Sequence, residues 1–259
     1  MANYLTSFNN YADYSGATLD LPNVSLIKAD GSVYYKNLFA GASLGDILMW
    51  DVVNQKLITT YGGNWDSTTY PIASYEPIAI NVYPASQASD GKSRYMALKW
   101  ASNTSATGST IFKNLMWGPS STTLGEITST DQTALNGRAN TNKAVAAMPG
   151  TSGDTQAEYP IFYAVNQFYT NGTQAGDWYV PSKGELSLYA SNYADINTKI
   201  TAIKNASSSI VNTVNSFQWS STEAQKTDSW YMYNNGSWYS SGNGARYSNN
   251  CAVRGMIAL

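Results

Sequence analysis

Apolar and polar positions change their rhythm about half way along the 259-residue chain. The first half reads as short strands separated by turn chemistry. "VSLIKADGSVYYK" (24–36) predicts a hairpin, because Asp30-Gly31 supplies the left-handed positions of a tight turn and β-formers flank it. "GDILMWDVVNQKLITT" (45–60) predicts two more strands. "IAINVYP" and "GKSRYMALKW" predict two further strands, joined by a loop at 85–90. Residues 101–133, rich in Ser, Thr and Gly, read as irregular around one apolar island, "IFKNLMWG" (111–118).

Helical spacing enters only in the second half. "ANTNKAVAAM" (139–148) predicts a short helix ended by Pro149-Gly150. "AEYPIFYAVNQFY" (157–169) places Ile161, Ala164, Val165 and Phe168 on one stripe, with Asn171-Gly172 as the stop. "VPSKGEL" carries an S-x-x-E capping box at Ser182 and Glu185, so a helix follows with Leu186 and Tyr189 inward. A second helix is expected over 195–204. "SFQWSSTE", "SWYMY" and "CAVRGMIAL" then return to strand character. Strands, helices and strands again, without a βαβ rhythm or internal repeat, predict an α+β fold.

Composition narrows the chemistry. Charged residues are only 12%, about half the usual share, net charge is −2, and no basic block occurs, which argues against nucleic acid as a partner. The chain has no His, which removes His-based acid–base catalysis, Ser-His-Asp and Cys-His nucleophiles, and His metal sites. The single cysteine, Cys251, excludes an intrachain disulfide and a cysteine-cluster metal site. Asp46, Asp51 and Asp66 show no metal-ligand spacing, and no calcium loop is present. Asn64-Trp65-Asp66 reads as a turn and Glu76-Pro77 as a strand entrance. Ser182 and Glu185 read as a helix cap, and Glu223 as a structural hydrogen-bond anchor. No cofactor, no metal and no catalytic residue is expected. The opening "MANYLTSFNNYADYSG" has neither the basic nor the apolar region of a signal peptide, and no run approaches the ~18 apolar residues of a membrane span, so folding in a cytoplasm is expected.

Residues 229–250 stand apart. They hold one charge, Arg246, among Tyr, Trp, Ser, Asn and Gly. This is the alphabet of a paratope: Tyr and Trp give large amphipathic contact area with two χ angles each, and Ser, Gly and Asn give adaptable hydrogen bonds. Trp238 and Arg246 are the natural hot spots. Composition alone leaves a ligand-free, glycine-rich surface hairpin equally open.

Three phrases in order, "GDWYVPSKGEL" (176–186), "FQWSSTE" (217–223) and "CAVRG" (251–255), resemble the C-type-lectin-fold proteins related to formylglycine-generating enzymes. Within that group the chain looks most like the variable proteins of diversity-generating retroelements, and "LNGRANTNKAV" (135–145) fits the same pattern. The match covers about 75–259. The N-terminal stretch is similar to openings of tail-associated proteins of gut bacteriophages. The resemblance implies that the tract between W-S-S-T-E and V-R-G is a diversified ligand-binding face. Errors at template adenines turn Asn codons into codons ending in a pyrimidine. Tyr231, Tyr233, Asn234, Asn235, Ser237, Tyr239, Ser240, Ser241, Asn243, Ala245, Tyr247, Ser248, Asn249 and Asn250 are all permitted products. Trp230, Met232 and Trp238 are not. Trp230 and Met232 therefore read as scaffold, with Trp230 in the core and Tyr231 and Tyr233 outward. Trp238 lies inside the variable stretch and departs from the rule. Cys251 is codon-compatible, but its setting favours a buried strand position.

The expectation is thus a C-type lectin fold over 41–259, with a variable region at about 224–250, behind an N-terminal attachment or oligomerisation segment at 1–40. Its ligand-binding face comprises the permitted positions above with Trp238 and Arg246. The expected role is a receptor-binding or adhesin protein of a phage virion, made in the bacterial cytoplasm. It would bind a bacterial surface protein or glycan, attach to a tail protein through its N-terminus, form a homotrimer by analogy with phage tips, and insert in no membrane. The alternatives are a cell-encoded adhesin, a structural virion or fimbrial-type protein with an inert C-terminal tract, and a formylglycine-generating-like oxidase. The last would need a reactive cysteine, and Cys251 has no cationic partner pattern beyond Arg254.

Overall fold

The computed structural model describes residues 26–27, 33–35, 39, 41–62, 65–101, 103–104, 110–111, 115–118, 127–147, 159–208, 217–225, 228–233, 236–240 and 251–259. In chain order the strands of the first half are β1 (Leu26–Ile27), β2 (Val33–Tyr35), β3 (Ile47–Asp51), β4 (Lys56–Thr59), β5 (Tyr75–Tyr83), β6 (Arg94–Ala97), β7 (Asn103–Thr104) and β8 (Thr110–Ile111). The helices are α1 (Gly137–Ala147), α2 (Pro160–Gln167), α3 (Lys183–Ser191) and α4 (Tyr193–Ala206). Strands β9 (Phe217–Gln225), β10 (Asp228–Met232), β11 (Trp238–Ser240), β12 (Cys251–Ala252) and β13 (Met256–Ala258) follow. The α+β class is as the hydrophobic rhythm predicts.

A five-stranded antiparallel sheet, order β13-β6-β5-β3-β4, forms the centre. Both of its faces are buried, which is why "DILMW" and "PIAINV" read as nearly continuous apolar runs rather than clean alternations. Leu48, Tyr95, Ala97 and Ile257 face a core with Trp117, Ile161, Phe162, Val165, Trp178 and Trp219. Ile47, Met49, Ile80, Val82, Met96 and Met256 face the other way, onto Tyr179, Tyr189, Ile196, Ile200 and Ile203. Successive strand residues point to opposite sides, so one chain segment feeds both cores.

The second sheet has four strands, order β11-β10-β9-β12. β12 runs parallel to β9 (Cys251 beside Phe217), and the other pairs are antiparallel. Two small antiparallel pairs, β1-β2 and β7-β8, complete the described strands. The turn residues Asp30 and Gly31 lie outside the described residues, as do Pro149 and Gly150. Phe39 is buried in the first core, and the Ser93 hydroxyl donates to its carbonyl at 3.0 Å, so the packed unit reaches back to Phe39.

Three helices differ in their bounds from the sequence expectation. α2 begins at Pro160, not 157, because a residue before proline is steered out of the α region and Tyr159 sits at φ −132°, ψ 61°. It ends at Gln167, where Phe168 turns extended. α1 starts two residues early, at Gly137, whose amide donates to the Glu185 carboxylate at 3.2 Å. α4 is longer than 195–204 and buries Ile196, Ile200 and Ile203, a helical stripe.

The Ser182–Glu185 capping box forms as predicted, with both reciprocal bonds present. Its carboxylate does more than cap. Glu185 is 1% exposed. One oxygen accepts from the Ser182 and Gly137 amides at 2.8 and 3.2 Å. The other accepts from the Tyr179 hydroxyl at 2.9 Å and Arg94 Nε at 3.3 Å. A buried carboxylate is tolerable only when so paired. Glu185→Ala leaves Arg94 without its buried counter-charge and two amides without an acceptor. It should destabilise the fold by about 3–5 kcal/mol in urea unfolding.

Buried phenols set an alkaline limit. Burial raises the pKa of Tyr95 and Tyr179, and pushes Tyr189 up to about 12. Because these folded values lie above the unfolded value near 10, their contribution is intact below about pH 10 and is lost as pH rises toward 12. The urea midpoint should therefore fall steeply across that window, and less steeply in Tyr179→Phe.

Candidate functional site

The aromatic tract is built on β9, whose sequence FQWSSTEAQ is buried from Gln218 to Glu223. Trp219 Nε1 donates to the Leu115 carbonyl and Trp117 Nε1 to the Ser220 carbonyl, both at 2.7 Å, so the apolar island of 111–118 is stitched to this strand. The Ser221 amide donates to Pro181 O at 2.7 Å, and the Lys183 amide to Thr222 Oγ1 at 2.9 Å. Asn140, from the LNGRANTNKAV phrase, donates to Ser221 Oγ at 3.2 Å and accepts from the Ser129 amide. Glu223 accepts from the Ile127 amide at 3.1 Å, the anchoring role read from the sequence. The three sequence phrases and the fourth upstream are thus one connected frame.

On that frame β10 and β11 form a ribbon closed by a bond from the Tyr233 amide to Ser237 O at 2.8 Å. Gly236 takes φ +86°, the left-handed position that a three-residue hairpin connection needs. Pairing is Trp230 with Ser240, Tyr231 with Tyr239, and Met232 with Trp238. Opposed residues share a face, so the ribbon has two distinct sides.

One side carries Tyr231, Tyr239 and, just past the strand, Tyr233. They gather around Phe217: ring centroids lie 5.1, 6.1 and 5.0 Å from it, respectively. Tyr231 and Tyr239 stack at 5.8 Å with a 17° interplanar angle, and Trp219 meets Tyr231 edge-on at 5.5 Å. Tyr239 is 45% exposed, and Tyr231 and Tyr233 are half-buried. Partial burial raises the Tyr231 pKa. Among the described residues no Asp, Glu, Lys or Arg belongs to this ring cluster, and such charge depletion lowers the desolvation cost of a docked surface.

The other side carries Trp230, Met232 and Trp238. Met232 is fully buried in the second core, which also holds Tyr189, Ile196 and Met96, and Trp238 packs half-buried against that core. Lys183, from the first turn of α3, puts its ammonium 3.3 Å from the Trp230 ring centroid and 5.3 Å from that of Trp238, and donates to Gln132 Oε1 at 2.6 Å.

Two expectations need correction. Trp230 is not in the core. It is half-buried, and the Lys183 ammonium at the start of α3 lies over its ring. Trp238 does not share the tyrosine face but stands opposite it. The simple rule of one face in and one out fails here because both sides of the ribbon meet something: Phe217 and Trp219 on one, Lys183 and Met232 on the other.

Of the predicted site residues, the structure brings together Tyr231, Tyr233 and Tyr239. Ser237 and Ser240 are exposed on the same hairpin. Asn234, Asn235, Ser241, Asn243, Ala245, Arg246, Tyr247, Ser248, Asn249 and Asn250 lie outside the described residues. Sequence reasoning missed β11 itself, Phe217 and Lys183. Phe217 was findable, since it has the same strand parity as Trp219.

The remaining candidates have structural work. Asp46 accepts from Thr60 Oγ1 at 2.9 Å, Asp51 from the Asn54 amide at 2.9 Å, and Asp66 from the Thr68 and Thr69 amides. Among the described residues no group of three acidic, His or Cys side chains is placed to hold a metal. Glu76 enters β5 and accepts from Asn171 Nδ2 at 2.6 Å. Cys251 is fully buried in β12, as its sequence setting suggested. Arg254 lies 4.5 Å over Trp100, and burial lowers its pKa. No described helix is long and apolar enough to cross a membrane.

No family model matches the chain, and no curated protein matches it. A crystal structure of a fimbrial protein from Bacteroides ovatus ATCC 8483 is similar at 14% identity and a TM-score of 0.43. The likeness covers 93% of this chain and 49% of that one, so this chain spans about half the length of that protein.

The two-sided ribbon makes a stability prediction. Met232→Ala removes a buried side chain and should cost about 2–5 kcal/mol. Tyr239→Ser removes a half-exposed ring with one stacked and one edge-on partner, Tyr231 and Phe217, and should cost under about 1.5 kcal/mol. Urea unfolding of the two variants checks the contrast, and equal costs would show that the tyrosine side is structural.

Proposed function

We propose that this chain is a ligand-binding protein of the C-type lectin fold, whose tyrosine-bearing hairpin is a receptor-binding face diversified by a retroelement. The observation that carries the reading is the division of the β10-β11 ribbon. Tyr231, Tyr233 and Tyr239 gather on one partly exposed side, with no charged residue among the described ring contacts. Two of the three residues that no Asn codon can yield, Met232 and Trp238, pack the other side onto the body, and the third, Trp230, lies under Lys183 on that same side. Rings held this way lose little freedom when a partner docks. The interleaving of helices with a sheet in which β12 returns parallel beside β9 is compatible with that fold. In this reading the protein is the adhesin of a phage virion. It binds a protein or glycan on bacterial cells, attaches through its N-terminal segment to a tail protein and assembles as a homotrimer. It needs no cofactor and catalyses no reaction, and burial of Cys251 fits a packing role for the only thiol.

Two measurements test this. The DNA beside the gene should contain a near-identical repeat next to a reverse-transcriptase gene, with mismatches confined to template adenines. No repeat, or mismatches at all four bases, overturns the diversification. Purified protein should adsorb to bacterial cells, and the triple variant Tyr231→Ser/Tyr233→Ser/Tyr239→Ser should lose at least about thirtyfold in affinity, as truncation of a hot spot does. Unchanged adsorption by a folded variant would remove the face from the reading.

A further inference from the structure

Lys183 occupies a position that neither its helix nor its solvation explains. It is the first residue of α3, where the helix dipole disfavours a cation. Burial also lowers the pKa of its ammonium, so desolvation acts against the charge as well. Against both stand the indole faces of Trp230 and Trp238 at 3.3 and 5.3 Å and the Gln132 carbonyl at 2.6 Å. Indole is the strongest aromatic partner for a cation. The indole N–H of Trp230 is buried and has no acceptor among the described residues, so its ring is held by its face rather than its edge. These two indoles lie on both strands of the ribbon, one on β10 and one on β11.

We infer that Lys183 is a positioning residue: its ammonium clasps Trp230 and Trp238 together, fixes the β10-β11 ribbon against α3, and so sets the orientation of the tyrosine side. The importance of that orientation rests on reading the tyrosine side as the ligand face, but the clasp itself does not. The main-chain anchor of Lys183 is separate, since its amide donates to Thr222 Oγ1 whatever the side chain. The clasp also gives Trp238 a reason to be a tryptophan in a tract otherwise made of residues an Asn codon can yield.

The test is amide hydrogen exchange on the full chain, comparing wild type with Lys183→Met, which keeps the stem and removes the charge, and Lys183→Arg, which restores it. In Lys183→Met, protection of the amides in 230–232 and 238–240 should fall about five- to thirtyfold, while that of 78–82 in β5 is unchanged. Lys183→Arg should restore protection to within a few-fold of wild type. Unchanged protection in Lys183→Met, or loss in both variants alike, overturns the clasp, the second by showing that side-chain shape rather than charge matters. A loss spread equally over 78–82 overturns it too, because a global effect is not positioning. Adsorption to the same bacterial cells then separates the two ideas. A loosened ribbon with normal adsorption of the triple tyrosine variant leaves the clasp standing and removes the ligand face. Normal exchange with impaired adsorption of the triple variant does the reverse.

Discussion

The buried carboxylate of Glu185 is the constraint on which the rest of the arrangement depends. A charge removed from water must be met on every side, and this one is met by groups from four places in the chain: Arg94 in β6, the start of α1 at Gly137, Tyr179, and the α3 cap at Ser182. None of these can move without leaving a buried donor or charge unpaired. The central sheet, two helices and the 176–186 phrase are thereby locked in one relative position. Pro181 and Lys183, on either side of the cap residue, then bond to Ser221 and Thr222 in β9. The second sheet takes its place from the carboxylate at one remove, and the aromatic ribbon takes its place from the second sheet.

That order of dependence explains the division of labour in the ribbon. β9 is fixed along its length by main-chain and indole hydrogen bonds to elements that do not include the ribbon. β10 therefore docks on a strand already in place, and β11 docks on β10. Support declines with each step outward: Trp219 is fully buried, Tyr231 half-buried and Tyr239 45% exposed. The rings on the tyrosine side are ordered by contact with Phe217 and with each other rather than by charge. Such a surface offers contact area with little desolvation penalty and little freedom left to lose.

How much of this was legible in the sequence depends on how local each signal is. The capping box, the inward Leu186 and Tyr189, and the stripe of Ile161, Ala164 and Val165 are fixed by neighbours within two helical turns and stand in the structure, whereas Phe168, the last residue expected on that stripe, lies just past the helix. The other partners of Glu185 were not legible, because S-x-x-E describes one turn of helix and says nothing of residues 94 and 137. The bonds of Asn140 to Ser129 and Ser221 were not legible for the same reason. β11 was hidden because three residues, Trp-Tyr-Ser, are too few to show a period of two in a tract of turn-formers. Trp230 was misplaced because alternation assigns a side but not what lies over each position: a lysine lies over Trp230, while Met232 on the same side reaches the second core.

The placement of Trp238 carries the most weight for function. In the sequence it contradicted a uniformly variable tract. On the proposed reading the contradiction dissolves, because the two sides of the ribbon differ: Trp238 is paired with Met232 and turned away from the tyrosines. A ribbon whose fixed residues all project to one side can change its other side with little effect on folding, since sites without shared partners contribute to stability almost additively. On the proposed reading this separation is what diversification requires. Most random substitutions destabilise. A face that varied through residues buried as deeply as Met232 would lose the fold in many of its variants. A face that varies through Tyr231, Tyr233 and Tyr239 risks ring contacts with one another and with Phe217, and at Tyr231 an edge-on contact with Trp219 of the first core. Phe217 is then the boundary case: it belongs to the fixed phrase in β9, yet it touches all three tyrosines, so whatever replaces them must still pack against it.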